Sequence, residues 1–236
     1  FTPVQYQDVV QYFVYPWFML LLFVISGMSA RFYLNGHSDK KFLKSRTVKL
    51  LVPSTIGLFV FWWISGYYNM AIGGAFENMP AIPKPILFVI MAISGVGPLW
   101  YIQLLWVFSL LLLFIRKIEK DRLYGLLEKT NLPVLLCLTL VIWGAAQILN
   151  TPVIVVYRFG IYGVGFFLGY FIFSHDAVME RLEKWWLPLS LAALGLGIGF
   201  VFVFWGEPYA EHQVLDTFLC NVYAWIATLT VLSVMK

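Results

Sequence analysis

Apolar residues in this chain occur in long runs separated by short polar segments. The runs lack the strict alternation of a half-buried strand, and each approaches the roughly 20 residues that a helix needs to cross a bilayer. We therefore predict an all-α protein, a polytopic transmembrane helix bundle with about seven spans, built as a single integral membrane domain over residues 1–236. The predicted spans are 12–32, 51–68, 98–115, 132–149, 153–173, 186–205 and 215–235.

Composition agrees with a membrane protein. Hydrophobic residues make up 61% of the chain and charged residues only 12%, whereas a water-soluble domain is about a quarter charged. This excludes a disordered chain, a collagen-like fibre and a disulfide-stapled secreted module, and the long runs argue against an outer-membrane barrel. The formal net charge of +4 follows membrane topology, so we expect the lipid bilayer, and no nucleic acid, as a partner.

The Lys and Arg residues set the predicted orientation. The chain has 16 Lys and Arg residues, and 14 of them are Lys236 and the basic residues of the alternate connections 31–50, 116–131 and 174–185. Only Lys84 and Arg158 lie elsewhere. Cytoplasmic loops carry the excess of Lys and Arg, so these connections are predicted to be cytoplasmic.

An odd number of spans then places the N-terminus outside. The chain begins Phe1-Thr2-Pro3, without an initiator Met or a signal peptide. We expect a fragment whose upstream span is missing; the alternative is a genuine start on the outer side.

Candidate chemistry within the spans is sparse. An ionisable residue inside a membrane is a functional hypothesis by default, and the predicted spans carry none at their middle. His37 and His175 fall in cytoplasmic connections and His212 in an outer one. No histidine is therefore expected inside the bilayer as a general base.

The first basic connection leads into the second span with Arg46 and Lys49. A spacing of three places both cations on one helical face, where cytoplasm meets membrane. They could bind the phosphates of a nucleotide-bearing substrate. The alternative is that they follow the positive-inside rule and contact lipid phosphates.

Four short motifs together resemble the integral membrane acyltransferase 3 family, over most of the chain. In order they are Phe23-Val24-Ile25-Ser26-Gly27, Phe42-x-x-x-Arg46-x-x-Lys49-Leu50-x-x-Pro53, Gly97-Pro98-Leu99-Trp100-Tyr101 and Phe166-Phe167-Leu168-Gly169. Each is weak alone, and their order and spacing carry the resemblance.

The resemblance implies a membrane-bound O-acyltransferase, an enzyme of the bacterial inner (plasma) membrane that modifies polysaccharide. It would move an acyl group, commonly acetyl or succinyl, from cytoplasmic acyl-CoA to a carbohydrate or related acceptor at the outer face. Acyl-CoA would be a co-substrate, and no other cofactor and no metal is expected. The family's catalytic His lies on a first span that would precede Phe1, so the fragment is expected to be inactive alone.

The resemblance also implies roles for individual residues. The family's Arg-x-x-Arg corresponds to Arg46 and Lys49, which become the acyl-CoA-binding candidates, with Lys in place of the second Arg. Its Gly-His-Leu-Trp corresponds to residues 97–100, with Pro98 in place of His, so a proton-transfer role there is in doubt. The acceptor-side candidates are Trp100, Tyr101 and Gln103.

Two other function classes fit a helix bundle. A transporter would show an internal repeat and polar groups at the midplane, and the sequence offers no clear example of either. A non-catalytic membrane scaffold would need no catalytic base.

Overall fold

A computed structural model describes residues 8–74, 83–95, 97, 99–152, 156–207 and 212–235. It divides the chain into two compact units, residues 1–35 with 118–236, and residues 36–117. Each unit is described by itself, as the first and the second unit.

The second unit is helical in its described residues. Its helices are α2 (Asp39–Arg46), α3 (Val52–Gly57), α4 (Trp63–Ile72), α5 (Lys84–Ser94) and α6 (Leu99–Glu119), the last of which runs on past residue 117. Two π-helical turns, Thr47–Leu51 and Leu58–Trp62, join α2, α3 and α4, so that Asp39–Ile72 is one continuous helix.

Helices α4 and α5 touch backbone to backbone through glycine. A Cβ atom on Gly66 would lie 1.7 Å from the carbonyl oxygen of Met91, and one on Gly95 would lie 2.0 Å from the carbonyl oxygen of Trp62. Small residues allow such close approach between membrane helices. The short apolar α5 is therefore held directly against the long helix.

The other helices named here and one β-hairpin lie in the first unit. Its helices are α1 (Asp8–Gly36), α7 (Arg122–Leu127), α8 (Leu132–Ala145), α9 (Phe159–Leu168), α10 (Asp176–Glu183), α11 (Trp186–Phe204), α12 (His212–Leu215) and α13 (Phe218–Val234). Strands β1 (Asn150–Pro152) and β2 (Val156–Arg158) pair antiparallel, with Asn150 opposite Arg158. A π-helical turn, Gly169–Phe173, continues α9.

Glycines also bring α1 against the α9 segment, which is α9 together with the π-helical turn Gly169–Phe173 that continues it. A Cβ on Gly27 would lie 1.9 Å from the carbonyl oxygen of Phe166, and one on Gly169 would lie 2.0 Å from that of Val24. The Ser26-Gly27 and Phe166-to-Gly169 motifs thus meet in the fold. The contact fixes α1 beside the turn that follows α9.

Helix α13 lies at the centre of the first unit. Most of its residues are buried, and the indole nitrogen of Trp225 donates a hydrogen bond to the carbonyl oxygen of Leu135 in α8 at 2.7 Å. A cluster of buried hydrophobic residues joins Tyr12 of α1, Phe200 of α11 and Tyr223 of α13. Large apolar side chains supply most of the packing in this unit.

The seven predicted spans are not confirmed, although each predicted run contains a helix. Among the described residues, four helices are long and apolar enough to cross a bilayer: Asp8–Gly36, Asp39–Ile72, Leu99–Glu119 and Trp186–Phe204. A fifth is possible if Phe159–Phe173 and Asp176–Glu183, which are bent by 97°, form one broken span. Helices α8 and α13 have only 14 and 17 residues, and the run predicted over 153–173 becomes helical only at Phe159.

Candidate functional site

The acyl-CoA-binding candidates lie on the continuous helix of the second unit. Arg46 is half-buried at the end of α2, with its guanidinium carbon 5.2 Å from the ring centroid of the buried Phe42. Lys49 lies one turn further along, in the π-helical turn, and is exposed. Their joint role in binding phosphate stays a prediction.

Two side-chain contacts fasten this segment to α6. Arg116 forms an ion pair with Asp39 at 2.7 Å, and the indole nitrogen of Trp106 donates a hydrogen bond to Thr47 Oγ1 at 3.0 Å. The first contact lies at the start of α2 and the second lies one residue after Arg46. The backbone that carries Arg46 is therefore held at two points.

The acceptor-side candidates lie at the beginning of α6. The rings of Trp100 and Tyr101 meet edge to face, with centroids 6.4 Å apart, and both residues and Gln103 are partly exposed. Arg116 lies 16 residues after Trp100, which at 1.5 Å per residue is about 24 Å along the helix. The acceptor-side candidates are therefore far along α6 from Arg116, which contacts Asp39 of α2.

A buried cationic cluster in the first unit was not predicted from the sequence. Arg31 of α1 is only 8% exposed. Its Nη1 donates to Asp121 Oδ1 at 2.6 Å and to the Tyr170 hydroxyl at 3.0 Å, and its guanidinium carbon lies 3.6 Å from the ring centroid of Tyr124. Such a cation–π contact orients a guanidinium and strengthens when water is excluded.

His175 completes this cluster. Its ring stacks on Tyr124 with centroids 3.8 Å apart, and its Nε2 is 3.0 Å from the Tyr124 carbonyl oxygen. Burial lowers the pKa of His175, the nearby cation of Arg31 acts in the same direction, and hydrogen bonds to backbone carbonyls oppose them. The Tyr124 ring therefore contacts both the Arg31 guanidinium and the His175 imidazole.

The sequence placed Arg31 and His175 in separate cytoplasmic connections because charges were counted by loop. In the structure α1 extends to Gly36, so Arg31 is inside a helix, and His175 lies at the bend between the α9 segment and α10. The one available signal was that Arg31 directly follows an apolar run. The pairing itself depends on the glycine contact between α1 and α9.

In the described part of the chain, no group of three or more His, Cys, Asp or Glu side chains is arranged to hold a metal ion. The ionisable side chains described above instead form ion pairs, hydrogen bonds and stacked contacts.

Comparison with known proteins identifies the family. The sequence profile of the acyltransferase 3 family, described as an acyltransferase domain, matches residues 1–235. The chain therefore belongs to this family and carries a membrane acyltransferase domain, as the four motifs predicted. Neither the curated proteins nor the solved structures give a significant match.

Proposed function

We propose that this protein is a membrane-bound O-acyltransferase that takes an acyl group from cytoplasmic acyl-CoA and transfers it to a carbohydrate or related acceptor at the outer face of a bacterial inner membrane. In such a transfer an acceptor hydroxyl attacks the thioester carbonyl, the carbon–sulfur bond breaks, and the proton of the hydroxyl leaves with the CoA thiolate. The family match over residues 1–235 supports the reaction class.

The proposed acyl-CoA site is inferred from the basic segment at the end of α2, which contacts with α6 hold in place. Arg46 rests on a buried ring, and contacts to α6 hold its backbone on both sides. A held guanidinium binds a phosphate with less loss of side-chain entropy than a free one. Lys49, one turn away and exposed, would reach the same anion group as a point charge.

On the acceptor side, we assign Trp100, Tyr101 and Gln103 to the sugar. Aromatic rings offer an apolar face with a polar edge, and the amide of Gln103 can both donate and accept hydrogen bonds. The position of these residues at the opposite end of α6 from Arg116 is consistent with a donor and an acceptor that approach from different sides.

Binding of CoA to the membrane-embedded protein tests the donor site. Charge-assisted contacts contribute roughly 1.5–3 kcal/mol each, so Arg46→Ala should weaken CoA binding by about one to two orders of magnitude. Pantetheine, which lacks the nucleotide phosphates, should bind wild-type protein and Arg46→Ala equally. Isothermal titration in nanodiscs measures both.

Lys40→Ala and Lys41→Ala are the matched controls, because both lysines are exposed on the same helix. They should change CoA affinity by less than about two-fold. Equal small effects from all variants would show that the basic segment only orients the protein in the membrane, and the donor site would have to be abandoned.

A further inference from the structure

Arg158 is a buried arginine outside both sites described above. It ends strand β2 and directly precedes α9, near the start of the run predicted as a span over 153–173. The residue is only 3% exposed. A buried charge is costly unless it is paired, so its surroundings need an explanation.

The hydrogen bonds of Arg158 go to neutral groups. Nη2 donates to the carbonyl oxygen of Leu215 at 3.0 Å and to Asn221 Oδ1 at 2.6 Å. Nε is buried and has no hydrogen-bond partner among the residues that the structure describes. The ion pairs found in the described residues involve Arg31 and Arg116, so within that part of the chain Arg158 has no carboxylate in contact.

The local backbone adds positive potential. Arg158 precedes α9, and its partner Asn221 lies in the first turn of α13. The N-terminal end of a helix carries a partial positive charge and favours anions. A guanidinium that has no carboxylate in contact among the described residues therefore lies close to two helix N-termini.

Asp216, the acidic residue that follows Leu215, is engaged elsewhere. Its carboxylate accepts a hydrogen bond from Asn150 Nδ2 at 3.0 Å, and its backbone carbonyl oxygen accepts hydrogen bonds from the Trp143 indole and the Gln147 amide. These contacts hold the turn between α12 and α13, and with it the Leu215 carbonyl that orients Arg158.

We propose that Arg158 binds a compact anionic group, a carboxylate or phosphate, carried by an acidic carbohydrate. This anion site belongs to the first unit and is argued separately from Trp100, Tyr101 and Gln103 of the second unit. Arg is suited to this because its guanidinium matches both groups and stays charged. An anionic lipid headgroup has the same chemistry, so the test separates the two sources.

Thermal unfolding of the protein in phosphatidylcholine nanodiscs, at constant chloride, measures the binding. Sodium glucuronate at about ten times its Kd should raise the Tm by about 3–6 °C, and glucose at the same concentration should not. The shift should vanish in Arg158→Gln and in Arg158→Met, the second variant serving if the first fails to fold. Arg181→Gln is the matched control and should keep the shift, because Arg181 also donates to two backbone carbonyls.

The outcomes are separable. If neither glucuronate nor inorganic phosphate raises the Tm of wild-type protein, or if the shift survives in both Arg158 variants, the site is overturned. If only nanodiscs containing phosphatidylglycerol raise the Tm through Arg158, the anion comes from lipid and the acidic carbohydrate is overturned as the ligand. Because this readout needs no acyl donor, failure of the acyl transfer reaction would not be mistaken for failure of this site.

Discussion

Replacing Gly27 by alanine should separate α1 from the α9 segment. The new Cβ would lie 1.9 Å from the Phe166 carbonyl oxygen and 2.9 Å from the Tyr170 backbone nitrogen. Both neighbours are backbone, so they cannot rotate away, and restoring ordinary contact at 3.4 Å requires a separation of about 1.5 Å. Alanine gains about 1 kcal/mol of helix propensity, but overpacking typically costs about 1–3 kcal/mol and the opened interface loses further contacts.

We expect Gly27→Ala to lower the Tm by about 2–8 °C, from a net loss of roughly 1–2 kcal/mol. Gly195→Ala is the control, because Gly195 lies inside α11 and a Cβ there would meet no neighbouring atom within 4 Å; it should keep or slightly raise the Tm. Differential scanning fluorimetry in the same detergent compares them. Equal Tm values for the two variants would refute the close contact and with it the explanation of how Arg31 meets Tyr170.

Two further predictions concern side chains around the sites. Because burial lowers the pKa of His175, its protonation favours the unfolded state, so stability should fall as the pH drops from about 6.5 toward the lowered pKa of the folded state. His175→Gln should flatten that part of the curve of Tm against pH. An unchanged curve would contradict the burial of a neutral imidazole at this position. Trp106→Phe removes the hydrogen bond to Thr47 and should raise the Kd for CoA by about three- to ten-fold without changing pantetheine binding. Trp63→Phe, which loses only a bond within its own helix, should not; equal Kd values in the two variants would remove Trp106 as a positioning residue.

The long spans could be predicted from sequence because a run of apolar residues in a membrane protein has few alternatives to a helix. The run 12–32 lies inside α1, and 186–205 nearly coincides with α11. The run over 132–149 was less accurate, because α8 ends at Ala145 and the chain enters a β-hairpin. Hydropathy does not register this change, since the hairpin segment is also largely apolar.

The burial of Arg31 and Arg158 could not be predicted from the sequence, for a different reason. Arg31 and Arg158 were counted as loop charges, yet each is buried by residues far along the chain, Tyr170 in one case and Asn221 in the other. Their partners depend on helix packing that no local pattern encodes. Arg46 and Lys49, in contrast, are joined by one helix, so their proximity could be predicted from spacing alone.

Acyl transfer in sealed membrane vesicles of known orientation tests the central claim most directly. Inside-out and right-side-out vesicles are prepared from cells that make the full-length protein. Radiolabelled acetyl-CoA, which does not cross the bilayer, is added to the external buffer, and label in the carbohydrate fraction is counted. The proposed function predicts label only in inside-out vesicles, where the face bearing Arg46 meets the donor, and a loss of most of it with Arg46→Ala at an acetyl-CoA concentration below the wild-type Kd. Label in right-side-out vesicles alone, or equal label in both, would contradict a cytoplasmic acyl-CoA donor.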